Sequence, residues 1–330
     1  MPTRQIMRRE FLVALGSTAV WPLMSSAEQL AMPTIGCLIN GMPEDAKFLI
    51  APFCDGLRDL GYIEGENVAI ECRWAKGRNE RLPELAAELI NLKVTVLAAL
   101  YGASTALAAK ALTNTIPIVF LTGGDATALG LVANPAKPEG NLTGVSGITD
   151  FLVSKQIALL RELFPRAKSI ALLTNPTSPN AKRLAQITQA VAKSMELELI
   201  AVTAANEGEL DQAFAFLASR HCGGVVIPTN AFFLTARQQI VTLAEKYRLA
   251  TIYDVRQFAE AGGLISYGQS TDRFRQVGVY VGKILRGAKI AELPVVRPSK
   301  FEFVVNRKAA QALGLNLPPA VLSQADEVIE

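Results

Sequence analysis

The sequence is poor in the residues that usually bind transition metals and haem. Its 330 residues include one histidine, His221, and four cysteines, none of which form a Cys-x-x-Cys pair. Because zinc, haem and iron–sulfur sites depend on such residues in close spacing, we expect neither a metal nor another cofactor. His221 precedes a predicted strand rather than following one, which favours a surface position over a catalytic one.

Nucleotide-binding motifs and an excess of charge are also missing. No predicted strand leads into Gly-x-Gly-x-x-Gly, and Gly-x-x-x-x-Gly-Lys-Ser/Thr does not occur, which argues against dehydrogenases and P-loop enzymes. With 33 basic and 30 acidic residues, the formal charge of +3 does not indicate a nucleic-acid partner or an acidic membrane surface. Beyond residue 30, no apolar run is long enough to cross a bilayer.

The first 27 residues have the features of an export signal. Arg8 and Arg9 precede an apolar stretch over residues 13–23, and small residues follow up to Ala27. The paired arginines, followed by Glu-Phe-Leu, resemble a twin-arginine leader, which is an address read by a receptor. We expect cleavage after Ala27; a buried first helix is the alternative. No cysteine follows the leader, so we do not expect a lipoprotein anchor.

Short apolar runs then alternate with segments of helical periodicity. Residues 95–100 read as a buried strand that leads into a helix, and the same layout recurs from residue 225 to residue 248. Such alternation predicts parallel sheets with helices on both faces. Because the pattern occurs twice, with a break near residues 147–152, we predict an α/β fold with two Rossmann-like lobes and a cleft between them. The predicted lobes span residues 28–150 and 151–268.

Ligands of such sheets bind beyond the carboxyl ends of the strands, where this chain has several polar residues. Ser104 or Thr105 can cap the helix after residue 102, whose free N–H groups suit a carboxylate. Asp125 and Asp254 each follow a strand and can either accept an ammonium group or cap the next helix. Both roles remain open for each aspartate.

Two aromatic residues near strand ends, Tyr101 and Phe232, can form an apolar wall of the cleft. The chain has one tryptophan beyond the leader, Trp74, in a predicted edge strand, so a sugar ligand is less favoured than an amino acid or related carboxylate. The predicted ligand-binding residues are Asn40, Gly41, Tyr101, Ser104, Thr105, Asp125, Asn175, Asn230, Phe232, Asp254 and Tyr267.

The strand assignments also bear on the thiols. Cys37 and Cys72 both lie in predicted strands and can become neighbours, so they can either form a disulfide or remain buried free thiols. A chain of this size can bury a core without disulfides, which favours free thiols.

Four segments of the chain carry characteristic motifs: the leader with Arg8-Arg9-Glu10-Phe11 and Trp21-Pro22-Leu23, residues 124–132, residues 260–268, and residues 317–329. Together they resemble ABC-transporter substrate-binding proteins of the type I periplasmic-binding fold, in the group that includes proteins for tryptophan and tyrosine uptake. In the second of these segments Ala126 replaces the usual proline of the family. The chain departs from the family at Gly102 to Thr105, where members often carry Gly-Thr-Pro-Ala, and at Asp254.

The resemblance implies a periplasmic receptor that binds a small organic ligand between its lobes and delivers it to an ABC-transporter permease in the inner membrane. It implies no enzymatic activity, and we expect a monomer. It also implies that a helix over residues 271–290 returns to the first lobe and that residues 291–330 cross back to pack on the second lobe.

Two other interpretations share this architecture. An exported two-lobed enzyme would need a catalytic constellation or cofactor motif. The effector domain of a transcription regulator would need DNA-binding helices where the leader stands.

Overall fold

The computed structural model describes residues 32–147 and 149–330; the predicted export signal lies outside them. The first part of the chain forms a five-stranded parallel sheet in the order β2-β1-β3-β4-β5. Its central strands are buried apolar runs, whereas β2 lies at the edge and is only partly buried, as its alternating sequence predicts. The strands are β1 (Thr34–Ile39), β2 (Ala69–Trp74), β3 (Val96–Leu100), β4 (Ile118–Thr122) and β5 (Leu142–Ser146).

Helices connect these strands. The first helix follows a 3-10 turn, Pro43–Asp45. A second 3-10 turn, Asn79–Arg81, precedes the next helix. The helices of this part are α1 (Ala46–Arg58), α2 (Leu82–Asn91) and α3 (Ala103–Leu112).

The second part of the chain forms a seven-stranded sheet in the order β12-β11-β10-β9-β8-β6-β7. Its strands are β6 (Ser169–Thr174), β7 (Glu198–Thr203), β8 (Val225–Ile227), β9 (Thr251–Tyr253), β10 (Ile265–Gln269), β11 (Phe301–Asn306) and β12 (Glu327–Ile329). The helices are α4 (Thr149–Leu163), α5 (Ala181–Ser194), α6 (Glu207–Ala218), α7 (Ala231–Thr235), α8 (Arg237–Lys246), α9 (Arg256–Glu260), α10 (Asp272–Leu285), α11 (Arg307–Leu313) and α12 (Pro319–Gln324). The predicted α/β fold with two sheets is confirmed.

Two expectations about this sheet were wrong. Strand β11 runs antiparallel to β10, so the sheet is mixed rather than wholly parallel. The chain between them passes through α10, which packs on the first sheet, and β11 therefore re-enters the second sheet from the opposite direction. The helix predicted over residues 231–248 is divided into α7 and α8.

Helix α10 packs closely against α1 and contacts β3, β4 and β5. An ideal Cβ at Gly56 would lie 2.0 Å from the carbonyl oxygen of Arg275, and one at Gly278 would lie 2.0 Å from that of Phe53. Since only glycine fits at such contacts, these two residues let the helix backbones touch. The helix that follows the second lobe's strand β10 is thereby held on the first sheet.

No helix within residues 32–147 and 149–330 combines the length and the apolar character needed to cross a membrane.

Candidate ligand-binding site

A cavity of about 100 Å³ lies where the carboxyl ends of strands from the two sheets face each other. Each of six strands is followed by one or more residues that line it: β1, β3, β4, β6, β8 and β9. The lining includes the sequence-predicted residues Asn40, Tyr101, Asn175, Asn230, Phe232 and Asp254. It also includes Asn79, Asn180 and Arg273, which the sequence prediction did not contain.

The first-sheet wall presents polar atoms that are buried and have no hydrogen-bond partner. Asn40 is 3% exposed, and its Nδ2 donates to Asn79 Oδ1 at 2.6 Å, but its Oδ1 accepts no hydrogen bond. The Tyr101 hydroxyl is likewise buried without a partner. Because buried polar atoms normally have a hydrogen-bond partner, both atoms are suited to contacts with a polar ligand.

The turn after β3 places a helix N-terminus at the cavity. Tyr101 has a φ of 69°, which is uncommon for a residue with a side chain, and Gly102 has a φ of 116° and is the N-cap of α3. Gly102 and Ala103 both line the cavity. The free N–H groups of the first turn of α3 therefore lie beside it and favour an anionic ligand group.

Asp254 and Arg273 bring a carboxylate and a guanidinium to the cavity lining. Asp254 Oδ1 accepts a hydrogen bond from the Thr229 N–H at 2.8 Å, and Arg273 Nη1 donates to Gln269 Oε1 at 3.1 Å. Arg273 Nε and Gln269 Nε2 are buried without a partner. Arg273 thus has a buried donor available for a ligand.

Burial sets the protonation behaviour of this pair. Burial raises the pKa of Asp254, although the hydrogen bond from the Thr229 N–H and the charge of Arg273 oppose the rise. It lowers the pKa of Arg273, against the effect of Asp254. Burial also raises the pKa of the Tyr101 hydroxyl well above its usual value. The cavity lining therefore holds two partly buried side chains of opposite charge that interact electrostatically.

A smaller chamber of about 60 Å³ adjoins the cavity and shares Asp254 and Arg273 with it. Its lining adds Gln156, Thr174 and Gln269 on the polar side and Leu152, Val153 and Leu184 on the apolar side.

Arg273 was not among the sequence-predicted residues because the end of the preceding strand was predicted too early. In sequence, residues 262–267 indicate a short strand, whereas β10 continues to Gln269 and leads into α10. Tyr267 does not line the cavity; its ring stacks on Phe301 at 6.1 Å and meets Phe303 edge-on at 5.9 Å. A strand two residues longer would have pointed to Gln269 and the first turn of α10.

Four other predicted residues lie outside the cavity lining. Gly41 is buried beside Leu49, where an ideal Cβ would lie 3.2 Å from Leu49 Cδ1. Ser104 and Thr105 do not cap α3, because the helix begins one residue after Gly102; the Thr105 hydroxyl, fully buried, donates to the Gly102 carbonyl at 2.7 Å.

Asp125 is the fourth, and no helix follows it to be capped, because residues 126–130 form a turn. Its Oδ1 accepts hydrogen bonds from the N–H groups of Thr127 at 3.0 Å and Ala128 at 2.8 Å. Its Oδ2 lies 3.5 Å from Arg297. Asp125 is therefore engaged by its own turn and by a surface arginine.

The four cysteines are free thiols. Cys37 and Cys72 are neighbours in the register of β1 and β2, as their strand positions allowed, but they form no disulfide. His221 is exposed. Within the described ranges, no group of three or more His, Cys, Asp or Glu side chains is arranged to hold a metal ion.

Comparison with known proteins bears on what this cavity is for. The family model described as "ABC transporter substrate binding protein" matches residues 45–329, most of the chain. The chain belongs to this family. The resemblance seen in its sequence motifs is thereby confirmed, and the two-sheet architecture is that of the type I periplasmic-binding proteins. Members are solute-binding proteins of ABC transporters rather than enzymes.

Individual relatives of this ABC-transporter substrate-binding protein are distant in sequence. A tyrosine-binding protein of Clostridioides difficile (strain R20291) is 24% identical over 265 residues, which cover 80% of this chain and 75% of the relative. The crystal structure of a conserved domain protein from Vibrio cholerae has a TM-score of 0.83 at 25% identity, covering 90% of this chain and 99% of the other. An ABC domain in complex with L-Trp from Streptococcus pneumonia has a TM-score of 0.83 at 23% identity with the same coverage.

Proposed function

We propose that this protein is an exported periplasmic receptor that binds an amino acid or a related small carboxylate and delivers it to an ABC-transporter permease in the inner membrane. The observation that carries the proposal is that Asp254 and Arg273, two side chains of opposite charge, both line the interlobe cavity. Burial disfavours the charged form of each, so a ligand that brings the complementary charges is favoured.

A zwitterion fits this arrangement. Its carboxylate would contact Arg273 and the N–H groups at the start of α3, and its ammonium would contact Asp254. The Tyr101 hydroxyl and Asn40 Oδ1 would provide further polar contacts, since both are buried and unpartnered. Phe232, Leu121 and Val255 line the same cavity and would contact an apolar side chain.

The relatives support an amino acid in particular. One carries tyrosine binding in its name, and another was crystallised with L-Trp. The alternative of an exported enzyme gains no support from the site, because the described lining residues include neither histidine nor cysteine to form a nucleophile–base pair.

Calorimetric titration tests the proposal with three classes of ligand: L-amino acids, the corresponding amines without a carboxylate, and the corresponding acids without an ammonium. We expect the zwitterions to bind most tightly. Arg273→Gln should weaken both the zwitterions and the acids, whereas Asp254→Asn should weaken the zwitterions more than the acids. Each loss should be about 2–5 kcal/mol, as for other buried charge pairs.

Asp125→Asn is the matched control, because Asp125 also follows a strand but lies outside the cavity lining. It should bind like the unmodified protein. Unchanged affinity for every ligand in both Asp254→Asn and Arg273→Gln would refute the zwitterion site. Loss of ammonium selectivity alone would leave a simple carboxylate as the ligand.

A further inference from the structure

The smaller chamber continues the cavity into the second part of the protein. Asn175, Asn180, Asp254 and Arg273 line both spaces, so a ligand whose charged groups contact Asp254 and Arg273 lies at the boundary between them. The chamber has a volume of about 60 Å³. Since a water-sized group needs about 10–15 Å³, the chamber has room for roughly four to six such groups.

One side of the chamber is apolar. Leu152 and Val153 of α4 and Leu184 of α5 line it, and all three side chains are buried. Val153 and Leu184 also belong to a hydrophobic core of the second sheet. Because burial of apolar surface against such side chains is favourable, this side suits the carbon atoms of a ligand side chain.

The polar group that distinguishes the chamber is the amide of Gln269, the last residue of β10. Gln269 is 5% exposed; its Oε1 accepts a hydrogen bond from Arg273 Nη1 at 3.1 Å, and its Nε2 is buried without a partner. The opposite orientation of the amide would set its NH2 group against a guanidinium, which can only donate. Gln269 therefore offers the chamber a donor and no acceptor.

A second glutamine in the lining has no such donor to offer. Gln156 is 2% exposed, and its Nε2 donates to the backbone carbonyls of Tyr253 at 3.4 Å and Tyr267 at 3.0 Å. Both hydrogens of this amide are thus used between α4 and the ends of two strands. The amide donor available for a ligand belongs to Gln269.

We propose that the smaller chamber is a subsite for the far end of the ligand's side chain and selects a side chain that ends in a neutral oxygen acceptor. The inference rests on the proposed function, which assigns the ammonium and the carboxylate to Asp254 and Arg273. Phe232 and Val255 of the larger cavity would contact the nearer part of the side chain. An oxygen at its end would accept from Gln269, whereas a methyl group or another donor would leave that buried donor unpartnered.

The balance of charge explains why the acceptor is neutral. Asp254 and Arg273 are the charged residues in the described lining of the chamber, and a zwitterion adds one charge of each sign. A side-chain carboxylate would add a negative charge that no cation of the lining balances, and burial of such a charge is unfavourable. A hydroxyl or amide oxygen avoids this cost.

Calorimetric titration with two pairs of ligands tests the subsite. L-Tyrosine is compared with L-phenylalanine, and L-glutamine with L-norleucine, because only the first member of each pair carries an oxygen near the end of its side chain. We expect the first member of at least one pair to bind about tenfold more tightly or better. Gln269→Met removes the donor from a side chain of similar length, and it should abolish this preference. L-Glutamate should bind more weakly than L-glutamine.

The ratio within a pair separates selection from a general effect. Gln269→Met also removes the acceptor for Arg273 and should weaken every ligand, but only loss of the donor changes the ratio. Gln269→Glu keeps an acceptor for Arg273 and replaces the donor with an oxygen, so it should lose the preference as well. Gln311→Met is the matched control, because Gln311 is exposed on α11 and lies outside both linings. It should keep both the affinities and the ratio.

A filled chamber gives a second readout. Ala181 lines the chamber from the first turn of α5 and is partly exposed. Ala181→Phe would occupy part of the space, so it should weaken the preferred ligand about tenfold more than L-alanine, whose side chain ends at one carbon. Equal weakening of the two ligands would contradict a side-chain subsite.

The outcomes distinguish this proposal from the proposed function. If amino acids bind but neither pair shows a preference, or if the preference survives both Gln269 substitutions, the subsite is wrong and the proposed function stands. If no amino acid binds the unmodified protein, the proposed function fails, and the subsite fails with it.

Discussion

At the scale of single residues, the site depends on charges placed where water is scarce. The hydrogen bond from Thr229 and the positive charge of Arg273 both lower the pKa of Asp254, but burial raises it by more. The ionised carboxylate is therefore less stable here than in water, and a ligand ammonium would restore part of what burial removed. The same reasoning applies in reverse to Arg273 and a ligand carboxylate.

This placement predicts a pH dependence of binding. Because the pKa of Asp254 is raised, its protonation begins at a higher pH than for an ordinary aspartate, near 4. The affinity for a ligand with an ammonium group should fall as the pH is lowered from 7 toward that raised pKa. The affinity of Asp254→Asn should be lower at pH 7 and nearly constant over the same range. Calorimetric titration between pH 7 and 4.5 measures both, and parallel curves for the two proteins would contradict the prediction.

At the scale of elements, the contact between α1 and α10 fixes the position of Arg273. Arg273 is the second residue of α10, and α10 is held on the first sheet through Gly56 and Gly278. Arg273 thus follows a strand of the second sheet in sequence, but the helix that carries it is packed on the first sheet. This contact therefore contributes to both the stability of the fold and the geometry of the site.

Gly56→Ala tests that contact. The added methyl group would overlap the Arg275 carbonyl oxygen, so α10 must shift, and we expect a loss of about 1–3 kcal/mol in the free energy of unfolding. Gly208→Ala in α6 is the control, because its Cβ would meet no atom closer than 3.6 Å and the helix should gain about 0.5–1 kcal/mol. Thermal and denaturant unfolding measure both changes. Equal effects of the two substitutions would show that the α1–α10 contact tolerates a side chain.

At the scale of the whole molecule, the two sheets meet through strand ends, and the cavity lies between them. A hinge motion that separates the two sheets would release a ligand bound there, which suits the proposed receptor function. The proposed export also concerns the whole molecule, because the leader is an address for the chain that follows it.

The leader assignment predicts the fate of a double variant. Arg8→Lys with Arg9→Lys should leave precursor in the cytoplasm, since a twin-arginine address is read by a receptor. Fractionation and immunoblotting of a tagged protein measure the ratio of precursor to mature form. The unmodified leader on the same tagged protein is the control. Normal export of the double variant would exclude the twin-arginine route.

The sequence alone determined the α/β architecture and a large part of the cavity. Asn40, Asn175, Asn230 and Asp254 could be placed there because each follows a buried apolar run, and parallel strands bring their carboxyl ends to one edge of a sheet. Membership of the family could also be inferred from local motifs, because such motifs are recognised without knowledge of long-range contacts. These features depend on residues that are close along the chain.

The tertiary structure alone decided the contacts between residues distant in sequence. Arg273 reaches the cavity because α10 packs on α1, and Asp45 lies 3.2 Å from Arg237 although the two are far apart in sequence. Asp125, which looked equivalent to Asp254 in sequence, is engaged by the N–H groups of its own turn. Periodicity and strand ends indicate where a residue lies along a helix or strand. The partners of its side chain depend on how the sheets and helices pack, and the local sequence pattern does not specify that packing.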